Sequence, residues 1–118
     1  MESQMSISPR SPRPEILPSE WLATHEWIQG RVLSYDLCGR KVGGCLVGAM
    51  IATLDDEMQY VEFYIFVNGE LQKDHKIDDD FTIAHYNDHV LKTKDEAVRT
   101  LQYYEQQYFA EQEKAHGR

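Results

Sequence analysis

The sequence predicts a mainly α domain of three to four helices over residues 19–112, and three observations carry that expectation. Thr93-Lys94-Asp95-Glu96 is a capping-box motif, and it opens a stripe of Ala97, Leu101, Tyr104 and Tyr108 at spacings of four, three and four. Ser19 and Gly30 bracket a segment with a helical start signal at one end and a stop signal at the other. Residues 45–54 are apolar on nearly every side, as a short buried helix requires. The alternative class is α+β, with a hairpin near residues 60–77.

Along the chain, residues 1–18 hold all four prolines (Pro9, Pro12, Pro14, Pro18), interleaved with serines and with Arg10 and Arg13. This composition predicts an extended, disordered arm. Ser19 then caps a helix whose Trp21, Thr24, His25 and Ile28 form one stripe, read as core, and Gly30 stops it. Residues 31–41 read as irregular. Gly43-Gly44 introduces the buried helix, with Cys45 in its first turn and Gly48-Ala49 permitting close packing.

Residues 60–67 admit two readings. Their aromatic and β-branched run, followed by Asn68-Gly69, resembles a strand entering a tight hairpin. As a helix, the segment would be capped by Asp55 or Asp56 and would place Glu57 in the positive first turn. Met58, Val61, Tyr64 and Ile65 would then face inward and Gly69 would end it. Periodicity leaves both open. The last helix is capped by Thr93, with Glu96 reaching back to the Thr93 N–H. It is expected to fray near Glu111, leaving residues 113–118 as a tail.

The 118 residues fit one domain, and 42% apolar content with seven Tyr, four Phe and two Trp suffices for a packed interior. No apolar run approaches the roughly 20 residues of a membrane span, and the polar N-terminal stretch lacks a secretory h-region. A cytoplasmic protein without a membrane partner is the expectation. Cys38 and Cys45 are too few for a disulfide scaffold and match no common zinc spacing, so both are expected as reduced thiols. No cofactor and no bound metal are expected. A net charge of −8 argues against broad affinity for nucleic acid.

Four short motifs carry a resemblance. They are Trp27-Ile28-Gln29-Gly30, Cys45-Leu46-Val47-Gly48-Ala49, Tyr86-Asn87-Asp88, and Thr93 with Glu96-Ala97-Val98 and Leu101. In order and spacing, over roughly residues 20 to 105, the chain resembles a small domain family of unknown function widespread in actinobacteria and their phages. Its pattern reads Gly-Trp-x-Gln-Gly, Cys-x-x-Gly-Ala, Trp-Asn-Asp and a closing Thr-x-x-(Glu or Asp)-Val helix. This sequence departs from it in lacking the glycine before Trp27, in carrying Tyr86 for the Trp, and in its aromatic middle. The resemblance implies a mostly helical domain, which tips residues 60–67 toward helix, and implies no established activity.

Three constellations are candidates for function. Cys45 at a helix start would feel the positive dipole end, which lowers a thiol pKa, and its own N–H would serve an oxyanion. His85 and Asn87 follow in the order nucleophile, base, orienting group, which defines a Cys-His-Asn thiol hydrolase or transferase. Against it, a Cys followed by Leu46-Val47 suits a core thiol. His85 and His89 on a helix would share a face beside Asp88, with Asp78, Asp79 and Asp80 as oxygen donors for a metal, although Asn87-Asp88 reads more naturally as a turn.

The third candidate is acidic. Residues 55–80 hold nine acids (Asp55, Asp56, Glu57, Glu62, Glu70, Asp74, Asp78, Asp79, Asp80) against Lys73 and Lys76. Such a face would dock a basic protein partner, with Phe63 and Phe66 as apolar anchors. The functional expectation is a non-catalytic interaction module, an accessory protein of a phage or actinobacterial host. Whether the chain self-associates through Tyr103, Tyr104, Tyr108 and Phe109 stays open.

Overall fold

The computed structural model describes residues 14–77 and 81–116. Helix α1 (Pro18–Ala23) leads into three short strands, β1 (Glu26–Trp27), β2 (Leu33–Tyr35) and β3 (Lys41–Gly44). Helices α2 (Leu46–Thr53), α3 (Glu57–His75) and α4 (Thr82–His85), a π-helical turn (Tyr86–Val90) and α5 (Lys94–His116) complete the order. The fold is mainly helical with a small sheet. Its hairpin is β2–β3, whereas residues 60–67, the alternative hairpin position, are helical within α3.

Helix α1 starts at Pro18, whose missing N–H costs nothing at a first helical position. Ser19 is therefore inside the helix rather than its cap. Its N–H and its hydroxyl donate to the two carboxylate oxygens of Glu105 on α5, at 2.7 and 2.6 Å. Leu17 and Pro18 are buried, so the end of the expected arm belongs to the core, while residues 1–13 lie outside the described residues. The helix stops well before Gly30. The Thr24 N–H turns back onto the Trp21 carbonyl at 3.1 Å, and the His25 ring stacks on Trp21 at 4.0 Å.

Residues 31–41, expected to be irregular, hold β2 and the first residue of β3. The central strand is β3, parallel to β1 through Glu26↔Gly43 and antiparallel to β2 through Ser34↔Gly43. A Cβ on Gly43 would stand 2.8 Å from the Cβ and carbonyl oxygen of Glu26 and from Ser34 Oγ, so only glycine fits between both neighbours. Helix α2 seats on this hairpin just as closely, because a Cβ on Gly48 would lie 2.0 Å from the Val32 carbonyl oxygen. The close packing expected of Gly48-Ala49 is present. Cys45 caps α2 in an extended conformation and is not in its first turn.

Helix α3 begins where the helical reading placed it: the Asp56 carboxylate accepts the N–H groups of Met58 and Gln59 at 2.9 and 3.3 Å. Its inward face differs. Gln59, Phe63, Val67 and Leu71 are buried in a ridge of fours, whereas Met58 and Ile65 are 62% and 63% exposed and Val61 is 38% exposed. Phe63 decides the rotation, since its ring packs edge-on against Tyr108 and stacks on Phe109 of α5. Gly69 does not end the helix. Burial of Leu71 two residues on, worth about 1.5–3 kcal/mol, outweighs a mid-helix glycine costing about 1 kcal/mol, and the helix closes at Lys76 in the left-handed region.

Helix α5 has the expected reciprocal cap with one shift: Glu96 N–H donates to Thr93 Oγ1 at 3.1 Å, and Glu96 Oε1 accepts the N–H of Lys92 rather than Thr93, at 2.7 Å. Ala97, Leu101, Tyr104 and Tyr108 are all buried, as the stripe predicts. The backbone stays helical past Glu111 to His116. The aromatic cluster is divided: Tyr104, Tyr108 and Phe109 belong to the core, and Tyr103 is exposed.

Candidate functional site

The residues singled out by motif converge on Asn87. The π-helical turn closes with the Leu91 N–H on the Tyr86 carbonyl at 3.0 Å, and this wider turn carries a fully buried Asn87 between β1 and the start of α2. Asn87 Oδ1 accepts the indole N–H of Trp27 at 2.8 Å and the Leu46 N–H at 3.2 Å. Its Nδ2 donates to the Ile28 carbonyl at 3.1 Å and to Asp88 Oδ1 at 2.9 Å. Two acceptor positions and two donor hydrogens are all engaged, so the amide is saturated.

Around it, Gln29 Nε2 reaches the carbonyls of Asn87, Asp88 and Leu91 at 3.0, 3.2 and 3.3 Å. The Gly30 N–H donates to Asp88 Oδ1 at 3.0 Å. Trp27, Gln29 and Gly30, the N-terminus of α2, and Asn87-Asp88 thus form one hydrogen-bonded knot. It supplies an orphan N–H of α2 with an acceptor from a distant element.

Cys45 sits beside this knot, 4% exposed, with its N–H donated to the Val32 carbonyl at 3.0 Å. Burial pushes its thiol above the ordinary range, and the negative charge of Asp88 adds to that. The N–H groups of Gly48 and Val47 do pull the other way, as a helix start should, but desolvation wins. The sequence expectation of a lowered pKa is reversed, and the expected oxyanion donor already has an acceptor.

His85 is exposed on α4, with its ring 4.9 Å from that of His89. These two share a face, as the helical reading held. Asn87, two residues from His85, is turned into the core instead. Among the described residues no group of three or more His, Cys, Asp or Glu side chains is placed to hold a metal ion. Asp78, Asp79 and Asp80, the expected oxygen donors, lie outside the described residues.

The acidic block is spread along α3, whose 19 residues span about 28 Å. Asp55, Asp56 and Glu57 are exposed at the corner between α2 and α3. Further along, Glu62 accepts the Tyr108 hydroxyl at 3.3 Å, Glu70 pairs with Lys73 at 3.1 Å, and Asp74 accepts the Tyr104 hydroxyl at 2.7 Å. Burial, then the bond to Asp74, pushes the Tyr104 phenol far above its usual range. Phe63, expected as an apolar anchor for a partner, is fully buried and Phe66 is half-buried.

One feature was read with the wrong orientation and one was missed. Met58, Val61 and Ile65, expected to face inward, form an exposed apolar stripe, and the ridge of Gln59, Phe63, Val67 and Leu71 faces the core instead. The buried Glu105–Ser19 contact joins residues 86 apart, and no local signal announces it.

No family model matches this chain, and neither the curated proteins nor the solved structures hold a match. Among the described residues, no helix is long and apolar enough to cross a membrane.

Proposed function

We propose that this chain is a non-catalytic interaction module whose acidic side receives a basic partner protein. The observation that carries the reading is the α2–α3 corner, where Asp55, Asp56 and Glu57 stand consecutive and exposed, followed by the exposed Met58 and preceded in α2 by the exposed Ile51. Carboxylates of this kind steer a Lys/Arg-rich segment into encounter, and neighbouring apolar side chains hold it. The charges of Asp78, Asp79 and Asp80 belong to the same acidic block in sequence. The family resemblance supplies the setting, an accessory protein of a phage or actinobacterial genome acting in the cytoplasm.

The thiol-enzyme alternative has less support, since Cys45 is buried with a raised pKa and the Asn87 amide is saturated. The test is a titration with the purified partner, once captured from host extract, at about 0.1 and 0.5 M salt. Asp55→Asn, Glu57→Gln, Asp78→Asn, Asp79→Asn and Asp80→Asn in one chain should weaken binding about tenfold, mainly through slower association. The same loss should follow from salt, with the far-UV spectrum unchanged. Equal affinity under all these conditions would reduce the acidic residues to a solubility feature.

A further inference from the structure

We propose that His85 and His89 form a two-nitrogen chelate for a divalent transition-metal ion of the Ni²⁺, Cu²⁺ and Zn²⁺ class, on the outer side of the π-helical turn. Both residues are exposed, and their rings lie with centroids 4.9 Å apart and planes inclined at 47°. These metals bind an imidazole nitrogen at about 2.0–2.1 Å, which places the ion about 3.2 Å from the ring centre. Two rings sharing one ion therefore stand about 4.5 Å apart at right-angled coordination positions and about 5.2 Å apart at tetrahedral ones. The observed 4.9 Å falls between those limits, so the pair reaches a chelating arrangement by side-chain rotation alone.

The conformation of the segment is what brings the rings together. Read as a turn, Asn87-Asp88 would break the spacing that puts residues four apart on one face. In the structure residues 82–90 stay helical instead, α-helical through His85 and π-helical from Tyr86 to Val90. The backbone between the histidines is also fixed from behind. Asn87 is fully buried with its side-chain amide engaged by Trp27, Ile28, Leu46 and Asp88, and Gln29 holds the carbonyls of Asn87 and Asp88. An ion thus has two short side chains to order and no backbone, which keeps the cost of binding low.

Asp88 lies between the two histidines in sequence but is turned to the knot, where its Oδ1 accepts the Gly30 N–H at 3.0 Å and the Asn87 amide at 2.9 Å. The chelate is therefore the two imidazoles, and water fills the other positions. Such a site differs from a closed structural centre, which takes four protein ligands, and among the described residues no group of three or more ligands is placed for one. Imidazole donors with open positions select the borderline divalent ions over Mg²⁺ and Ca²⁺, which take oxygen. No residue of the acidic corner takes part, so this reading and the partner-binding reading stand or fall separately.

Ni²⁺ is the probe, because it favours imidazole and leaves the exposed Cys38 thiol aside. Titrated calorimetrically into the full chain, it should bind with a Kd of about 10–100 µM, and Mg²⁺ should not bind in that range. The paramagnetic ion should broaden the ring-proton NMR signals of His85 and His89 at lower concentrations than those of His25 and His75. His85→Ala and His89→Ala should each weaken binding about tenfold or more, with the far-UV spectrum unchanged because both side chains are exposed. Ni²⁺ affinity weaker than about 1 mM in the wild type overturns the proposal, as does binding that either substitution leaves unchanged.

Discussion

Trp27 and Asn87, 60 residues apart in sequence, are joined by an indole N–H donated to a side-chain amide oxygen at 2.8 Å. That oxygen also accepts the first N–H of α2, while the amide nitrogen holds the Ile28 carbonyl. One buried side chain therefore ties β1, α2 and the π-helical turn together.

Removing that side chain orphans three partners in the interior at once. Asn87→Ala should destabilise the fold by about 3–5 kcal/mol, since each unpaired buried polar group costs about 1–3 kcal/mol and the network fails as a unit. Trp27→Phe, which leaves the other bonds in place, should cost about 1–2 kcal/mol. Urea unfolding followed by tryptophan fluorescence measures the first, and far-UV circular dichroism measures both. Equal stability of Asn87→Ala and the wild type would remove the knot from the account.

Alkaline pH acts on four groups whose folded-state pKa is raised by burial: Cys45, Tyr60, Tyr86 and Tyr104. In each, the folded state keeps its proton at a pH where the unfolded chain has lost it. Their contribution is therefore fully present below the unfolded values, about 8.5 for a thiol and about 10 for a phenol, and is lost as pH rises above them. The urea midpoint should be flat from about pH 7 to 8 and fall steadily from about pH 9 to 11. Tyr104→Phe should flatten part of that fall. A midpoint independent of pH across the alkaline range would contradict the burial of these groups.

What was legible in the sequence was local. The Thr93 cap, the α5 stripe, the Asp56 cap of α3 and the tight seat of Gly48 are written in adjacent residues, and the structure has them. The rotation of α3 was not legible, because both faces carry apolar residues and the choice between them is made by Tyr108 and Phe109, some 45 residues on. All three strands were missed because they are two, three and four residues long, too short for an alternation pattern to register. Ser19 reads as a cap by composition, yet its N–H and hydroxyl are taken by Glu105, a partner no window along the chain contains. At the site, Cys45, His85 and Asn87 have the right types in the right order for thiol chemistry. Only their depth distinguishes that use from a structural one, with Asn87 and Cys45 inside and His85 outside.

That distinction is directly measurable as the rate at which iodoacetamide modifies each cysteine of the folded chain at neutral pH, resolved by peptide mass spectrometry. Cys38 is exposed and serves as the internal reference, and Cys45 is buried beside the knot. Cys38 should be alkylated at an ordinary thiol rate while Cys45 is protected about a hundredfold or more. Cys45 should become equally reactive in denaturant or in Asn87→Ala. Modification of Cys45 ahead of Cys38 in the native chain, slowed by His85→Ala, would contradict a non-catalytic module and establish Cys45 as an activated nucleophile.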